Sequence, residues 1–402
     1  MKITGIKTFI CDVYRTNWVL VKVLTDEGLY GVGEATLEHR ELAVAAAVRE
    51  LERYIIGKDP HNIEAFWSEN HRDAYWRGGP VLTTALSGVE MALWDIKGKA
   101  LGVPVYQLLG GKVRDSVPCY ANAWFAGSRT PADFAAKAKE TVKLGFKALK
   151  WDPFGSAYLN LTSGEFDNAM TCVAAVREAV GTGIQLLIEG HGRLNVPTAV
   201  RVGLALEEFD ITWFEEPLPP CDLDGLADVK NRINIPIAAG ERLYTRWDFK
   251  ELLSKKAADY IQPDISHCGG ILESRKIAAM AECYFIPYCP HNPIGAVTNA
   301  ATLQIAACTP NFHMLETMSN DVPYRHLLTT EKVDFSDGMI RIPDLPGLGI
   351  DINEEEILKH PYKPHNLRHF NGDLTMIRPK DSQGWYGGEV GGGEKFFRDG
   401  KI

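Results

Sequence analysis

Three glutamates follow three apolar runs at one interval: Leu186-Leu-Ile-Glu189, Trp213-Phe-Glu-Glu-Pro217 and Ala238-Ala-Gly-Glu241. Glu189 and Glu215 are 26 positions apart, as are Glu215 and Glu241. Carboxylates with no Cys or His at the matching positions are hard oxygen donors. They suit Mg2+, whose octahedron is completed by waters or substrate. One acid after a strand can equally cap the next helix, but three at equal spacing favour a shared cation. Glu216 would point the other way along a strand, so Glu215 is taken as the ligand. The rhythm continues with Asp264 after 23 positions, His291 after 27 and Glu316 after 25. A histidine titrating near neutrality moves protons in both directions, and a neighbouring Asp fixes its tautomer and stabilises the imidazolium. Alone, His291 reads as an ordinary loop histidine. With Asp264 one strand earlier and the context Pro290-His-Asn-Pro293, it reads as a base.

These residues need strands to hold them. Short β-rich runs at 117–121, 146–150, 184–189, 211–215, 235–239, 260–263, 285–289 and 314–316 alternate with helical runs such as 131–144, 167–180 and 198–208. Alternation implies a parallel sheet. Eight units imply a closed (β/α)8 barrel, whose typical ~250 residues give roughly 30 per unit and whose active site lies at the strand C-termini. Before it, residues 2–11, 19–24 and 30–33 alternate as antiparallel strands, and 41–54 and 83–100 read as helices. Gly102 and Pro104 stop the second helix. The fold class is therefore α/β: a modified (β/α)8 TIM barrel with an α+β capping domain. The expected division is 1–116 for the capping domain and 117–326 for the barrel. Residues 327–402, Gly-rich and irregular at 345–350 and 385–393, are expected to return to the N-terminal sheet.

The 402 residues suit two domains, and 45% hydrophobic with 24% charged is an ordinary globular balance. A net charge of −9 argues against a nucleic-acid or anionic-membrane partner. It leaves an anionic substrate possible, because a bound cation inverts the local field. The eight cysteines form no C-x-x-C pair and read as reduced core thiols. The start, MKITGIKTFI, lacks an apolar signal region, and no run is long enough to span a bilayer. A cytoplasmic location is expected.

The motifs Trp213-Phe-Glu-Glu-Pro217, Ala239-Gly-Glu-Arg242, Gln262-Pro-Asp264 and Leu315-Glu316, with Ala92-Leu-Trp-Asp-Ile-Lys-Gly-Lys-Ala100, resemble the enolase superfamily, mandelate racemase subgroup. The resemblance covers essentially the whole chain. It implies one Mg2+ per subunit on Glu189, Glu215 and Glu241, a homo-oligomer, and abstraction of a proton alpha to a carboxylate to give an enediolate. Glu189-Gly-His191-Gly-Arg193 resembles the Asp-x-His-Gly-Arg motif of galactonate- and gluconate-type sugar-acid dehydratases. That implies His191 as general acid for a departing hydroxyl, His291 with Asp264 as base, and Glu316 at the substrate carboxylate or enediolate oxygen.

Two positions depart from the pattern. Glu189 stands where the family usually has Asp. Lys150-Trp-Asp152 stands where racemases carry Lys-x-Lys, so a base for the opposite face is missing unless Asp152 serves. Lys150 is expected to neutralise the substrate carboxylate. Substrate contacts are expected from Asp152 and from capping-domain loops 14–18, with Asn17, and 73–79, with Trp76 and Arg77. The expected activity is dehydration of a small-molecule acid sugar, an aldonate such as gluconate, galactonate or arabinonate, to a 2-keto-3-deoxy acid. The alternatives are a 2-hydroxy-acid racemase or epimerase, and a sugar-acid binder whose catalysis has decayed.

Overall fold

The computed structural model describes residues 1–13, 15–319, 322–330 and 333–365. Strands β1 (Ile3–Asp12), β2 (Asn17–Thr25) and β3 (Tyr30–Glu34) form an antiparallel sheet in that order. Helices α1 (Glu41–Ile55) and α2 (Gly79–Leu101) pack on it. The approach of α2 to β3 is set by glycine: a Cβ on Gly33 would lie 1.9 Å from the Gly88 carbonyl oxygen. Gly102 ends α2 in the left-handed conformation, at φ 68°, which L side chains disfavour.

The barrel runs β4 (Ser116–Asn122), α3 (Pro131–Lys143), β5 (Ala148–Trp151), α4 (Ser163–Val180), β6 (Gln185–Glu189), α5 (Val196–Leu206), β7 (Ile211–Glu215), α6 (Leu223–Lys230), β8 (Ile237–Ala239), α7 (Thr245–Ser254), β9 (Tyr260–Ile261), α8 (Gly270–Glu282), α9 (Ala296–Cys308) and β10 (Leu315–Met318). Strands β4 to β9 pair in sequence, all parallel, and β10 pairs with β4. Tyr288 bridges Ile261 on one side and Phe312 on the other, which closes the ring. The strand expected at 285–289 is shorter than the apolar run suggests. Phe285 is 95% exposed and left-handed at φ 59°, so extended pairing begins only near Tyr288.

Inside the barrel, Tyr120, Ala148, Leu187, Trp213, Ala238, Cys289 and Met314 pack as one buried layer, with Tyr260 against it. Side chains two positions on face the same way. The next layer toward the strand C-termini is thus Asn122, Lys150, Glu189, Glu215, Gly240, Gln262, His291 and Glu316. A dry hydrophobic layer forms the floor of a polar one.

After the barrel, β11 (Phe335–Ser336) and β12 (Met339–Arg341) pair back onto β4. The chain then runs along the N-terminal sheet: Asp12 N donates to His360 O at 2.9 Å, and Lys22 meets Glu354 at 2.6 Å. Residues 366–402, with the Gly-rich run 385–393, lie outside the described residues. No helix among the described residues is long and apolar enough to cross a membrane.

Candidate active site

Glu189 ends β6, Glu215 ends β7, and Glu241 follows β8. One carboxylate oxygen from each lies within 4.8 Å of the others. The Lys150 ammonium, from the end of β5, sits 2.6 Å from Glu215 Oε1, 2.9 Å from Glu316 Oε1 and 3.4 Å from Glu189 Oε2. Burial alone would lower its pKa, but Glu215 and Glu316 hold it well above the usual lysine value. The three triad acids respond differently. Burial and the adjacent Glu215 push Glu189 well up. Glu215 is held down against its burial by Lys150. Glu241 is held down against its burial by His291 and Arg242.

The donor set fits a divalent cation. Among the described residues, Glu189 Oε2 is buried with no hydrogen-bond partner and has only the Lys150 charge at 3.4 Å, leaving an oxygen with room for a cation. The other oxygen, Oε1, accepts the His191 amide at 2.7 Å. This leaves Oε2 facing Lys150 and the triad.

Beyond β6 the chain keeps pairing with its neighbour. Gly190 N donates to Glu215 O at 2.8 Å and Gly192 N to Glu216 O at 2.6 Å. Gly192 is left-handed at φ 63°, and a Cβ there would lie 2.4 Å from the Arg242 guanidinium. His191 is also left-handed, at φ 48°, a strained conformation of the kind that clusters at functional sites. Its Nδ1 lies 2.6 Å from Asp152 Oδ2. The buried Arg193 donates to both oxygens of Asp152 and, at 2.6 Å, to Gly155 O. Against its burial, Asp152 is held below the usual carboxylate range by Arg193 and His191.

Across the site, His291 Nδ1 lies 2.7 Å from Asp264 Oδ2, and its Nε2 is 3.2 Å from Glu241 Oε2. Although burial works against it, Glu241 and the Asp264 hydrogen bond raise His291 to about 10. Glu316 accepts from Lys150 and from Asn122 Nδ2 (2.8 Å) at Oε1, and from Asn292 N (3.1 Å) at Oε2.

A cleft of about 510 Å3 opens onto this layer. Its walls include Lys150, His191, Glu241 and His291 from the barrel, and Arg15, Glu38, His39, Arg40 and Pro80 from the capping domain. The triad, Lys150, both histidines and Glu316 therefore come together as expected.

The four expected substrate contacts do not line the cleft. Asp152 is buried, and its oxygens are taken by His191, Arg193 and Phe154 N. Asn17 is buried, bonded to Glu41 and, through Nδ2 and Oδ1, to Lys363. Trp76 is 82% exposed, packed edge-on against Tyr75, and Arg77 donates to Arg72 O. No residue of their loop lines the cleft; the nearest lining residue in sequence is Pro80, in the first turn of α2.

Residues that sequence reasoning passed over are Asn122, Gln262 and His267. Asn122 and Gln262 follow from counting two positions past an interior hydrophobe on each strand. The Gln262 amide is fully buried and finds no partner among the described residues. His267, next to Asp264 in space, had no such signal.

The same architecture occurs in known proteins. Residues 2–110 match the mandelate racemase/muconate lactonizing enzyme N-terminal domain, and 133–356 match the enolase C-terminal domain-like family. The chain is 39% identical over 351 residues to a D-gluconate dehydratase of Thermoproteus tenax, covering 87% of this chain and 71% of that one. It is 39% identical over 366 residues to a D-galactonate dehydratase of Pectobacterium atrosepticum, covering 89% and 94%. A solved enolase-superfamily member from Salmonella Typhimurium superposes with a TM-score of 0.86 at 34% identity, over 90% of this chain and 98% of that one. With both domains matched and the acidic triad on successive barrel strands, the chain belongs to the mandelate racemase/muconate lactonizing enzyme family of the enolase superfamily.

Proposed function

We propose that this protein is a Mg2+-dependent dehydratase of an aldonate such as gluconate, galactonate or arabinonate. The observation that carries the reading is that two cleft histidines flank the acidic triad and Lys150 at the barrel strand ends, each oriented by a buried aspartate: His191 by Asp152 and His291 by Asp264. The relatives named as gluconate and galactonate dehydratases support it. So does the closure of Asp152 within an ion pair, which leaves it unfit to serve as a second base.

Glu189, Glu215 and Glu241 would hold the cation, and their all-oxygen set favours Mg2+. When bound, it polarises the substrate carboxylate and increases the acidity of C2–H. Lys150 faces the cleft and adds positive charge where the substrate carboxylate binds. His291, neutral at Nε2 and steadied through Nδ1 by Asp264, takes the C2 proton. Charge then develops on the carboxylate oxygens beside Lys150, a fixed cation that needs no reorganisation. Glu316, tied to Lys150, Asn122 and Asn292, keeps that ammonium in place. His191 donates a proton to the C3 hydroxyl as it leaves, and the enol becomes a 2-keto-3-deoxy acid.

Product mass tests the overall reaction, since dehydration removes one water and racemisation none. Roles are tested in deuterated water. His191→Asn should exchange the C2 proton without releasing keto acid, and His291→Asn should do neither. Exchange that persists in His291→Asn but vanishes in His191→Asn would reverse the two assignments.

A further inference from the structure

The barrel helices do not all begin alike. Helices α3, α4, α5 and α6 are capped by their own Thr130, Thr162, Asn195 and Asp222, while α7, after Glu241, has no side-chain cap and gives Arg246 N to Glu273 of α8 at 2.7 Å. The helices that follow the dyad are different. Helix α8 comes after Asp264 and α9 after His291, and each starts at a glycine, Gly269 or Gly295, with no side chain to cap with. The missing acceptors come from the other domain. Glu90 of α2 accepts Ile271 N and Leu272 N, each at 2.8 Å, and Trp94 Nε1 at 2.7 Å. Glu34 of β3 accepts Thr298 N at 3.0 Å and Thr36 Oγ1 at 2.7 Å. Both acids are fully buried.

Glycine makes the room for them. A Cβ on Gly270 would lie 2.2 Å from Glu90 Oε2, and one on Gly295 would lie 2.1 Å from Glu34 Oε1. A third contact joins the same regions: His267 Nε2–H donates to Thr36 O at 3.0 Å, while its Nδ1 lies 3.8 Å from Asp264 Oδ2. A buried acid at a helix N-terminus accepts from orphan N–H groups; burial pushes both acids up, Glu90 to about 8, and the helix N–H donors work against that rise.

We infer that Glu34 and Glu90 are positioning residues for the base: the capping domain, through these two carboxylates, fixes the helices whose preceding loops carry Asp264 and His291. Helices α3 to α6 start on caps of their own, whereas the two helices after the dyad start on acids of the capping domain. As an account of catalysis, this rests on His291 being the base.

The test compares Glu34→Gln, Glu90→Gln and their double variant with Asp95→Asn. Asp95 is an equally buried capping-domain acid; it accepts Val32 N and Leu348 N and bonds to neither barrel helix directly, its one link to α9 running through Leu348 O to Gln304, far from that helix's N-terminus. The Mg2+-induced thermal shift and KM should stay near wild type in all variants. In the double variant kcat should fall about 10²-fold, the loss expected from roughly 1 Å of misplacement, but not in Asp95→Asn. In 15N-histidine-labelled protein, the downfield Nδ1 proton of the Asp264–His291 pair, assigned by its absence from His291→Asn, should shift or broaden in the double variant alone. An unchanged proton signal, or equal kcat losses in the double variant and Asp95→Asn at equal loss of Tm, overturns the inference. If instead His291→Asn still exchanges the C2 proton, the catalytic reading fails, while the proton signal still decides the positioning claim.

Discussion

Lys150→Met removes the one ammonium at the centre of the carboxylate layer. In the metal-free protein, Lys150 lies within 3.4 Å of Glu189, Glu215 and Glu316, and it is almost fully buried. Methionine keeps the length and loses the charge. Breaking one side of a buried ionic cluster costs about 3–5 kcal/mol, because the remaining charges have no compensation. At roughly 2–4 °C per kcal/mol, the metal-free variant should melt about 6–20 °C below wild type. The deficit should grow with pH. Without Lys150, the glutamates' folded-state pKa values rise above their unfolded values, so stability is lost as pH climbs through that range. Mg2+ should restore part of the loss, since a dication among the triad supplies the missing countercharge. The assay is thermal denaturation of the chelator-treated protein across a pH series, with and without saturating Mg2+. Equal melting of the metal-free proteins, or the same Mg2+-induced shift in both, would refute the reasoning, because either result means that Lys150 is not the internal counter-ion.

Chelation should abolish activity and Mg2+ should restore it, with Glu241→Gln weakening metal binding and turnover together; full activity in metal-stripped protein would contradict the triad assignment. His291 must be neutral to accept a proton, so activity should rise with pH, and the rising limb should move to lower pH as Mg2+ occupies the triad and removes the pull of Glu241. In the metal-free protein the same group, raised from 6.5 to about 10, adds stability that is full below pH ~6.5 and lost as pH rises toward 10, which chemical denaturation across that window reads directly. Gly192→Ala should cost about 1–3 kcal/mol from its left-handed backbone and should lower kcat by displacing His191; unchanged stability would mean that the loop relaxes freely.

The acidic triad was legible because barrel strands are short and regular. One interior hydrophobe, then one more step of two, reaches the mouth, so Leu187 leads to Glu189 and Trp213 to Glu215. On the third strand the count from Ala238 stops at Gly240, and Glu241 was legible from the 26-residue spacing instead; Glu216, off the count, pairs with Arg242. Helix positions were readable from composition, and Gly102 marked a real left-handed stop. What the sequence could not show were contacts made by folding distant segments together. Loops 14–18 and 73–79 were plausible walls of the cleft by chemistry alone. Loop 14–18 does wall the cleft through Arg15, but Asn17 is consumed by Glu41 and Lys363, Trp76 faces solvent, and most of the remaining capping wall comes from residues 37–40. Nor does any local pattern predict that Glu34 and Glu90 serve helices some two hundred residues away.

The two departures from the family pattern meet at one residue. Glu189, longer than Asp by a methylene, spends one oxygen on the His191 amide. Asp152, in place of a second lysine, holds the His191 ring. A lysine at 152 would set an ammonium against Arg193 and leave the imidazole unoriented. Through that bond Glu189 steadies the backbone of a residue strained at φ 48°. Read together, the substitutions are a matched set: one fixes where His191 stands and the other fixes where it points. A racemase has no need to hold this histidine at both ends. An enzyme that must deliver a proton to a departing hydroxyl does.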